Sequence, residues 1–280
     1  MSQELGEIVQ IMAQTHHRPI DQYDEGFLAK TIEKRQQAIG AKTAQAYVEL
    51  LARSSDEAES FCRSLNIGYS EFFRNPLTFA LLEQWILPSL LAEKEKSGGR
   101  EIRVWSAGCA AGQEIYSVAI LLDELMARSE STVVPRIFAT DHSARELTLA
   151  QQGVYDVSAV RQVRLHHLKE YFACEGETYR IADRIKNKVD FSIHDLLDEH
   201  ASSPAASIYG DFDLIFCSNL LFYYRSDIRQ DILRRMHRSL SDRGYLATGE
   251  AERDIVSKQE GFRPAAIPSS LFQKTMRKGD

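Results

Sequence analysis

Apolar residues recur at helical spacing through residues 1 to about 75, and the spacing predicts four helices there. Ile8, Ile11 and Met12 share one face, and Tyr23, Phe27, Leu28 and Ile32 continue the period on a second helix. Ala44–Ala52 forms a third. Asp56–Leu65 forms a fourth, with Ser54-Ser55-Asp56 supplying its N-cap. No strand pattern interrupts them. Asn75-Pro76 opens a further helix, because proline is tolerated in a first turn; Phe79, Leu82 and Trp85 carry it to Ile86, near Pro88. Ser97-Gly98-Gly99 marks a flexible break. The expected organisation is an all-helical subdomain over 1–75, a linker helix over 76–97 and an α/β domain over 98–280.

Beyond the break, short apolar runs alternate with amphipathic stretches. Strands are expected at Ile102–Ser106, Arg136–Thr140, Val189–Ile193, Leu214–Cys217 and Tyr245–Thr248, and helices at Glu114–Arg128, Ala144–Gln151 and Asp227–Leu240. Arg243-Gly244 reads as the glycine stop of the last helix. This alternation implies a parallel sheet covered on both faces. Residues 171–190 differ: Tyr171-Phe172, Tyr179-Arg180-Ile181 and Ile185–Val189 are short strand-like pieces around a Glu-Gly-Glu turn, so a small antiparallel insert is expected. No internal repeat or low-complexity tract is present.

Ligands of doubly wound sheets sit beyond the carboxyl ends of the strands. Here those ends are Gly108–Glu114, Asp141, His194-Asp195 and Ser218-Asn219. The first follows the pattern G-x-x-x-G-x-E, with Gly108, Gly112 and Glu114, and departs from the dinucleotide fingerprint G-x-G-x-x-G. Glycines let backbone approach a ligand closely, while a carboxylate at the helix start repels a pyrophosphate and suits ribose hydroxyls or an ammonium. The cofactor expected is S-adenosylmethionine, a nucleoside with a positive amino-acid tail and no phosphates. Asp141 suits ribose hydroxyls and can also cap the next helix. Asp195 suits an adenine amino group or caps a turn. Asn219 precedes the apolar run Leu220–Tyr224, where Tyr223 and Tyr224 read either as core or as walls of a site. In the stretch Tyr69–Pro76, Arg74 beside two phenylalanines can hold a carboxylate bidentately or form an interdomain salt bridge.

At 280 residues, with a net charge of −6 and 26% charged residues, the chain has the balance of a soluble globular protein and lacks the basic surface of a nucleic-acid binder. No apolar run approaches bilayer length, and Met1–Gln14 carries no signal-peptide core. The four cysteines, Cys62, Cys109, Cys174 and Cys217, are scattered without a C-x-x-C pair, so no metal is expected and a reduced, cytoplasmic setting is.

Four stretches together resemble the CheR-type chemotaxis receptor methyltransferases. Phe72–Pro76 matches that family's F-F-R-[DN]-P, Arg103–Ser117 its R-V-W-S-A-G-C-[ST]-[ST]-G-x-E-x-Y-S, Phe212–Tyr224 its F-D-x-I-F-C-R-N-x-x-I-Y-F, and Leu233–Gly249 its L-x-R-x-H-x-x-L-x-x-G-G-Y-L-x-x-G. The resemblance covers nearly the whole chain. It implies a Rossmann-like S-adenosylmethionine-dependent methyltransferase sheet, with an N-terminal helical receptor-recognising subdomain and a small β insert. It implies methylation of glutamates in the cytoplasmic signalling domain of chemoreceptors, with S-adenosylhomocysteine as product; a monomer that neither binds nucleic acid nor inserts directly into a membrane is expected. Glu114, Asp141, Asp195-Leu196 and Ser218-Asn219 then fall on cofactor contacts, as does Ser70. Arg74 and Tyr223 fall beside the transferred methyl and the acceptor.

Departures from the family pattern are equally specific. Gly68 stands for an asparagine, Ser218 for the arginine of F-C-R-N, Ala110 and Ala111 for hydroxyl residues, and Ile115 for a proline. Gly249-Glu250-Ala251-Glu252 replaces G-H-S-E. Each cofactor-site change removes a hydrogen-bonding group worth roughly 1 kcal/mol, so weaker cofactor binding is expected. Lys30 and Thr31 replace an arginine pair in the recognition helix, with Lys34 and Arg35 keeping some positive charge. The compact Cys174–Glu177 turn lacks a long glycine-bearing loop, which predicts independence from a receptor's pentapeptide tether.

Overall fold

The computed structural model describes residues 3–66, 68, 70–198, 203–207 and 210–275; Tyr69 of the arginine-bearing stretch lies outside them. The chain divides into two units, Met1–Ile67 with Leu221–Gln230, and Gly68–Leu220 with Asp231–Asp280.

In the first unit the helices are α1 (Gln3–Gln14), α2 (Glu25–Ile39), α3 (Ala44–Arg53) and α4 (Ser55–Leu65). Each of the last three begins at a side-chain cap that occupies otherwise unsatisfied backbone amides. Asp24 accepts from Gly26 and Phe27, Thr43 from Ala46, and Ser54 from Glu57. Gly40, at φ +70°, ends α2 in the left-handed conformation glycine adopts without strain. The apolar faces meet in a core built on Ile8, Met12, Leu28, Tyr47, Leu51 and Phe61. Tyr47, fully buried, donates to Glu57 at 3.0 Å, and Arg35 grips the same carboxylate through Nε at 3.0 Å and a second nitrogen at 2.5 Å. Arg35 is therefore committed to an internal partner, and Thr31 is buried and bonds back to Phe27; Lys30 and Lys34 are exposed. Residues 221–230 join this unit. Tyr224 forms a bridge with Tyr23 and stacks on it at 5.4 Å, the Asp24 amide donates to the Tyr223 carbonyl at 2.8 Å, and the Tyr223 ring meets Phe27 at 4.7 Å.

The second unit begins with one long helical run. α5 (Pro76–Leu81) passes through a π turn (Leu82–Ile86) into α6 (Leu87–Ser97). The run passes Ile86 without a break: the Leu87 amide reaches back to Leu82, and this wider turn accommodates Pro88, which lacks an amide to donate. The remaining elements are β1 (Glu101–Ala107), α7 (Gln113–Arg128), β2 (Val134–Asp141), α8 (Ala144–Gln152), β3 (Val154–Asp156), α9 (Leu165–Tyr171), β4 (Phe172–Glu175), β5 (Thr178–Ile181), α10 (Asp183–Lys186), β6 (Val189–Ile193), β7 (Phe212–Cys217), α11 (Ser226–Ser239), β8 (Leu240–Thr248), α12 (Arg253–Ser257), β9 (Phe262–Pro264) and β10 (Leu271–Lys274). α11 starts among the residues of the first unit and ends among those of the second.

The main sheet has the order β6-β2-β1-β7-β8-β10-β9. Neighbouring strands run parallel from β6 to β8, and β10 is antiparallel to both β8 and β9. Leu214–Cys217 and Ile102–Ala107 are nearly all buried, as expected for strands covered on both faces. Gly244 does not end a helix. It lies in β8, opposite a register shift between Phe212 and Leu214, and a Cβ there would stand 2.8 Å from the Phe212 carbonyl oxygen. The small sheet, ordered β3-β5-β4, is antiparallel. It recruits β3 from before residue 171, whereas the strand-like Ile185 falls in the single helical turn α10.

Candidate cofactor and active site

Four loops leave the carboxyl ends of the parallel strands and carry the candidate residues of the sheet unit. After β1 the chain turns through Gly108 at φ +82°, Ala110 at +47° and Gly112 at +90°. The Gly108 and Cys109 amides both donate to the Thr140 carbonyl at the end of β2, at 2.8 and 2.9 Å. A Cβ on Gly112 would meet Ala150 and the Tyr116 ring at 3.1 Å, so glycine lets the start of α7 close onto α8. Ala110 adopts its positive φ without being glycine, and its amide donates to Asp141 Oδ2 at 2.9 Å.

Asp141 ends β2, is buried, and also accepts from the Ser143 amide at Oδ1, 2.9 Å away. The helix-cap role falls to Ser143, whose hydroxyl accepts from the Glu146 amide, and not to Asp141. Asp141 orders the turn before α8 with one bond and the loop after β1 with the other, and a carboxylate with about four acceptor positions keeps others for a ligand's hydroxyls. Asp195, beyond β6, is exposed and accepts from the Leu197 amide at 2.8 Å, with the half-buried Leu196 between them.

Glu114 stands in the first turn of α7. Burial pushes its carboxyl up to about 7, against hydrogen bonds from Ser218 and Ser106 and the positive charge of Arg74. The Ser106 bond spans 3.3 Å. Ser218 thus donates to Glu114 despite standing where the family pattern has arginine. Arg74 follows a turn in which Phe73 holds φ +53°, its amide donating to Ser117 Oγ on α7 at 3.0 Å and its ring edge-on to Phe79. Ser70 lies half-buried ahead of that turn. Gly68 has a counterpart in Glu146: a side chain at 68 would meet that carboxyl at 2.9 Å, so glycine and Glu146 share the space. Tyr223 belongs to the helical unit described above.

The turn after β8 contributes a residue that motif reading passed over and that clips the turn after β7. Glu252 has no exposed surface, and its carboxylate accepts from the amides of Gly249, Asn219 and Leu220 at 2.8, 2.7 and 2.7 Å. It holds Asn219 at φ +58°. A Cβ on Gly249 would stand 2.5 Å from the Asn219 side-chain nitrogen, so only glycine leaves room for that amide. The signal available was the retained final glutamate of the G-E-A-E segment.

These loops gather carboxylates and an amide at the carboxyl edge of a parallel sheet, and the charge of Arg74, from ahead of α5, acts on one of them. That arrangement defines the class: a doubly wound nucleoside-binding domain whose acidic rim disfavours phosphates and suits hydroxyls and cationic groups. Residues 69–270 match the family described as CheR methyltransferase, SAM binding domain. An uncharacterized 104.1 kDa protein of Rhodobacter capsulatus is 31% identical over 272 residues, covering 97% of this chain and 28% of that one. Chemotaxis protein methyltransferase 1 of Pseudomonas aeruginosa is 36% identical over 185 residues, covering 65% of this chain and 64% of that one. From the same organism, the probable biofilm formation methyltransferase WspC is 28% identical over 253 residues, covering 89% of this chain and 56% of that one. The chain spans less than two thirds of the length of each of these relatives. It belongs to the CheR methyltransferase family, and the matched residues form that family's S-adenosylmethionine-binding domain.

Proposed function

We propose that the chain methylates glutamate side chains in the cytoplasmic signalling domain of chemoreceptors, forming S-adenosylhomocysteine, without a pentapeptide tether. The observation that carries this reading is the Glu114 carboxyl, raised by burial and facing Ser218, Ser106 and the charge of Arg74 at the mouth of the sheet. Such a site matches a ligand with positive charge and a reaction at a carboxylate. Gly108 and Gly112 would bring backbone to the cofactor, Asp141 would take its ribose hydroxyls, Asp195 and Leu196 its adenine, and Glu114, Ser70, Ser218 and Asn219 its remaining polar groups. When bound, S-adenosylmethionine supplies an electrophilic methyl.

An acceptor glutamate has a reference pKa near about 4.3, so it is already a nucleophile at neutral pH and requires no general base. The chain's work is alignment and exclusion of water. Arg74 orients the acceptor carboxylate, and Tyr223 walls or hydrogen-bonds it. The hairpin of the small sheet supports tether independence: Glu175 pairs with Thr178 across only Gly176 and Glu177. A chemoreceptor partner implies action in the cytoplasm, and no helix among the described residues is long and apolar enough to cross a membrane. The WspC relative favours one second reading, the same chemistry on the receptor of a non-motility signalling array.

Methyl-labelled S-adenosylmethionine incubated with the protein and receptor-bearing membranes tests the proposal. Label released as methanol by mild base is expected, the mark of a carboxyl ester. Base-stable label, or cofactor binding without transfer, overturns it.

A further inference from the structure

Away from the strand ends, α7 and α9 bring three metal-ligating side chains together. Glu124 Oε1 lies 3.5 Å from His166 Nε2 and 3.1 Å from His167 Nε2. All three ligand atoms fall within 4.8 Å of one another. With ligand bonds of about 2.0–2.2 Å, the edges of a tetrahedral zinc site are about 3.3–3.6 Å long, close to the two glutamate–histidine distances. The second glutamate oxygen faces Arg128 at 3.8 Å, a residue whose side chain is largely exposed, which leaves Oε1 to the histidines.

The competing account is an ordinary histidine–glutamate contact, and the geometry speaks against it. The His167 side chain has no exposed surface, and neither ring nitrogen makes a hydrogen bond. Buried polar atoms are rarely left this way, because the loss of hydration is uncompensated. An ion accepting the Nε2 lone pair removes the anomaly at that atom.

We propose that Glu124, His166 and His167 form a site for a zinc-class divalent ion with a fourth position open to water. Two imidazoles and one carboxylate are a borderline donor set that suits zinc better than magnesium or calcium. The cysteine spacing says nothing about this cluster, whose glutamate stands 42 and 43 residues before its two adjacent histidines. The ion would brace the arginine-bearing turn. The His167 ring stacks on Phe73 at 5.3 Å and 15°, and Phe73 immediately precedes Arg74. Fixing the imidazole fixes the surface on which that positive-φ residue rests.

The test uses the untagged full chain, stripped with a chelator and titrated with Co2+, then with Zn2+. Expected are one Co2+ per chain, the ligand-field absorption of a tetrahedral site, its displacement by Zn2+, and a rise in Tm with Zn2+. His166→Gln alters an exposed ring, so the stripped variant keeps its circular dichroism and Tm while its affinity falls more than tenfold. Glu124→Gln weakens binding likewise, and Cys174→Ser leaves it unchanged. Absence of stoichiometric uptake, or equal uptake by wild type and His166→Gln, overturns the proposal and leaves the cluster an ordinary ion pair.

Discussion

Glu57 in the helical unit and Glu114 in the sheet unit are both drawn away from bulk water, yet only Glu57 has a guanidinium across both its oxygens. Arg35 and Tyr47 fill the acceptor positions of Glu57 with short bonds inside a helical core. Glu114 receives hydroxyl donors and the charge of Arg74, and burial still drives its carboxyl up to about 7. The first carboxylate is finished by the fold; the second is left for something else to finish. A charge closed off by its own chain serves stability, and one held short of full compensation serves binding.

Removing the arginine from each carboxylate separates the two cases. Arg74→Ala is expected to cut methyl transfer by about 100-fold, the scale of a misaligned reacting group, with the chain still folded. A normal rate in a radiolabel assay removes Arg74 from the site. Arg35→Ala is expected to cost about 2 kcal/mol of stability in urea unfolding, because it strands a buried, hydrogen-bonded charge, while cofactor affinity stays as it was. An unchanged midpoint makes Arg35 a surface group after all. The smallest effect is on pH dependence. Glu114 is partly protonated near neutrality, and a cationic ligand favours its ionised form. Binding therefore expels a proton, and affinity for S-adenosylmethionine rises about fivefold between about pH 6 and 7.5. Calorimetry in buffers of different ionisation enthalpy reads that proton directly. A flat profile, or the same slope in Glu114→Gln, assigns the linkage elsewhere.

Long periodic segments were legible in the sequence because burial leaves a regular trace. α7 and α11 and the five parallel strands fall within a few residues of their expected places, since each carries a long apolar face or a continuous apolar run. β9 and β10 were not foreseen: strands of three and four residues are too short for a period, and pairing with β8 makes them. Gly244 misled because a glycine stopping a helix and one permitting a close strand approach look alike in sequence. Among the candidate residues, strand-end positions were readable from topology. Glu252 was not, for its partners are backbone amides 32 and 33 residues away, which no side-chain pattern announces. The commitment of Arg35 to Glu57 was hidden for the same reason, across 22 residues.

The three amides gathered by Glu252 have a bearing on how this family can diversify. Because the backbone of Asn219 and Leu220 is clipped from behind by a buried carboxylate, the course of that loop does not depend on the side chain at 218. Position 218 behaves like an interchangeable bit in a fixed chuck. A change of the side chain at 218 is therefore expected to alter what faces Glu114 while leaving the two clipped amides in place.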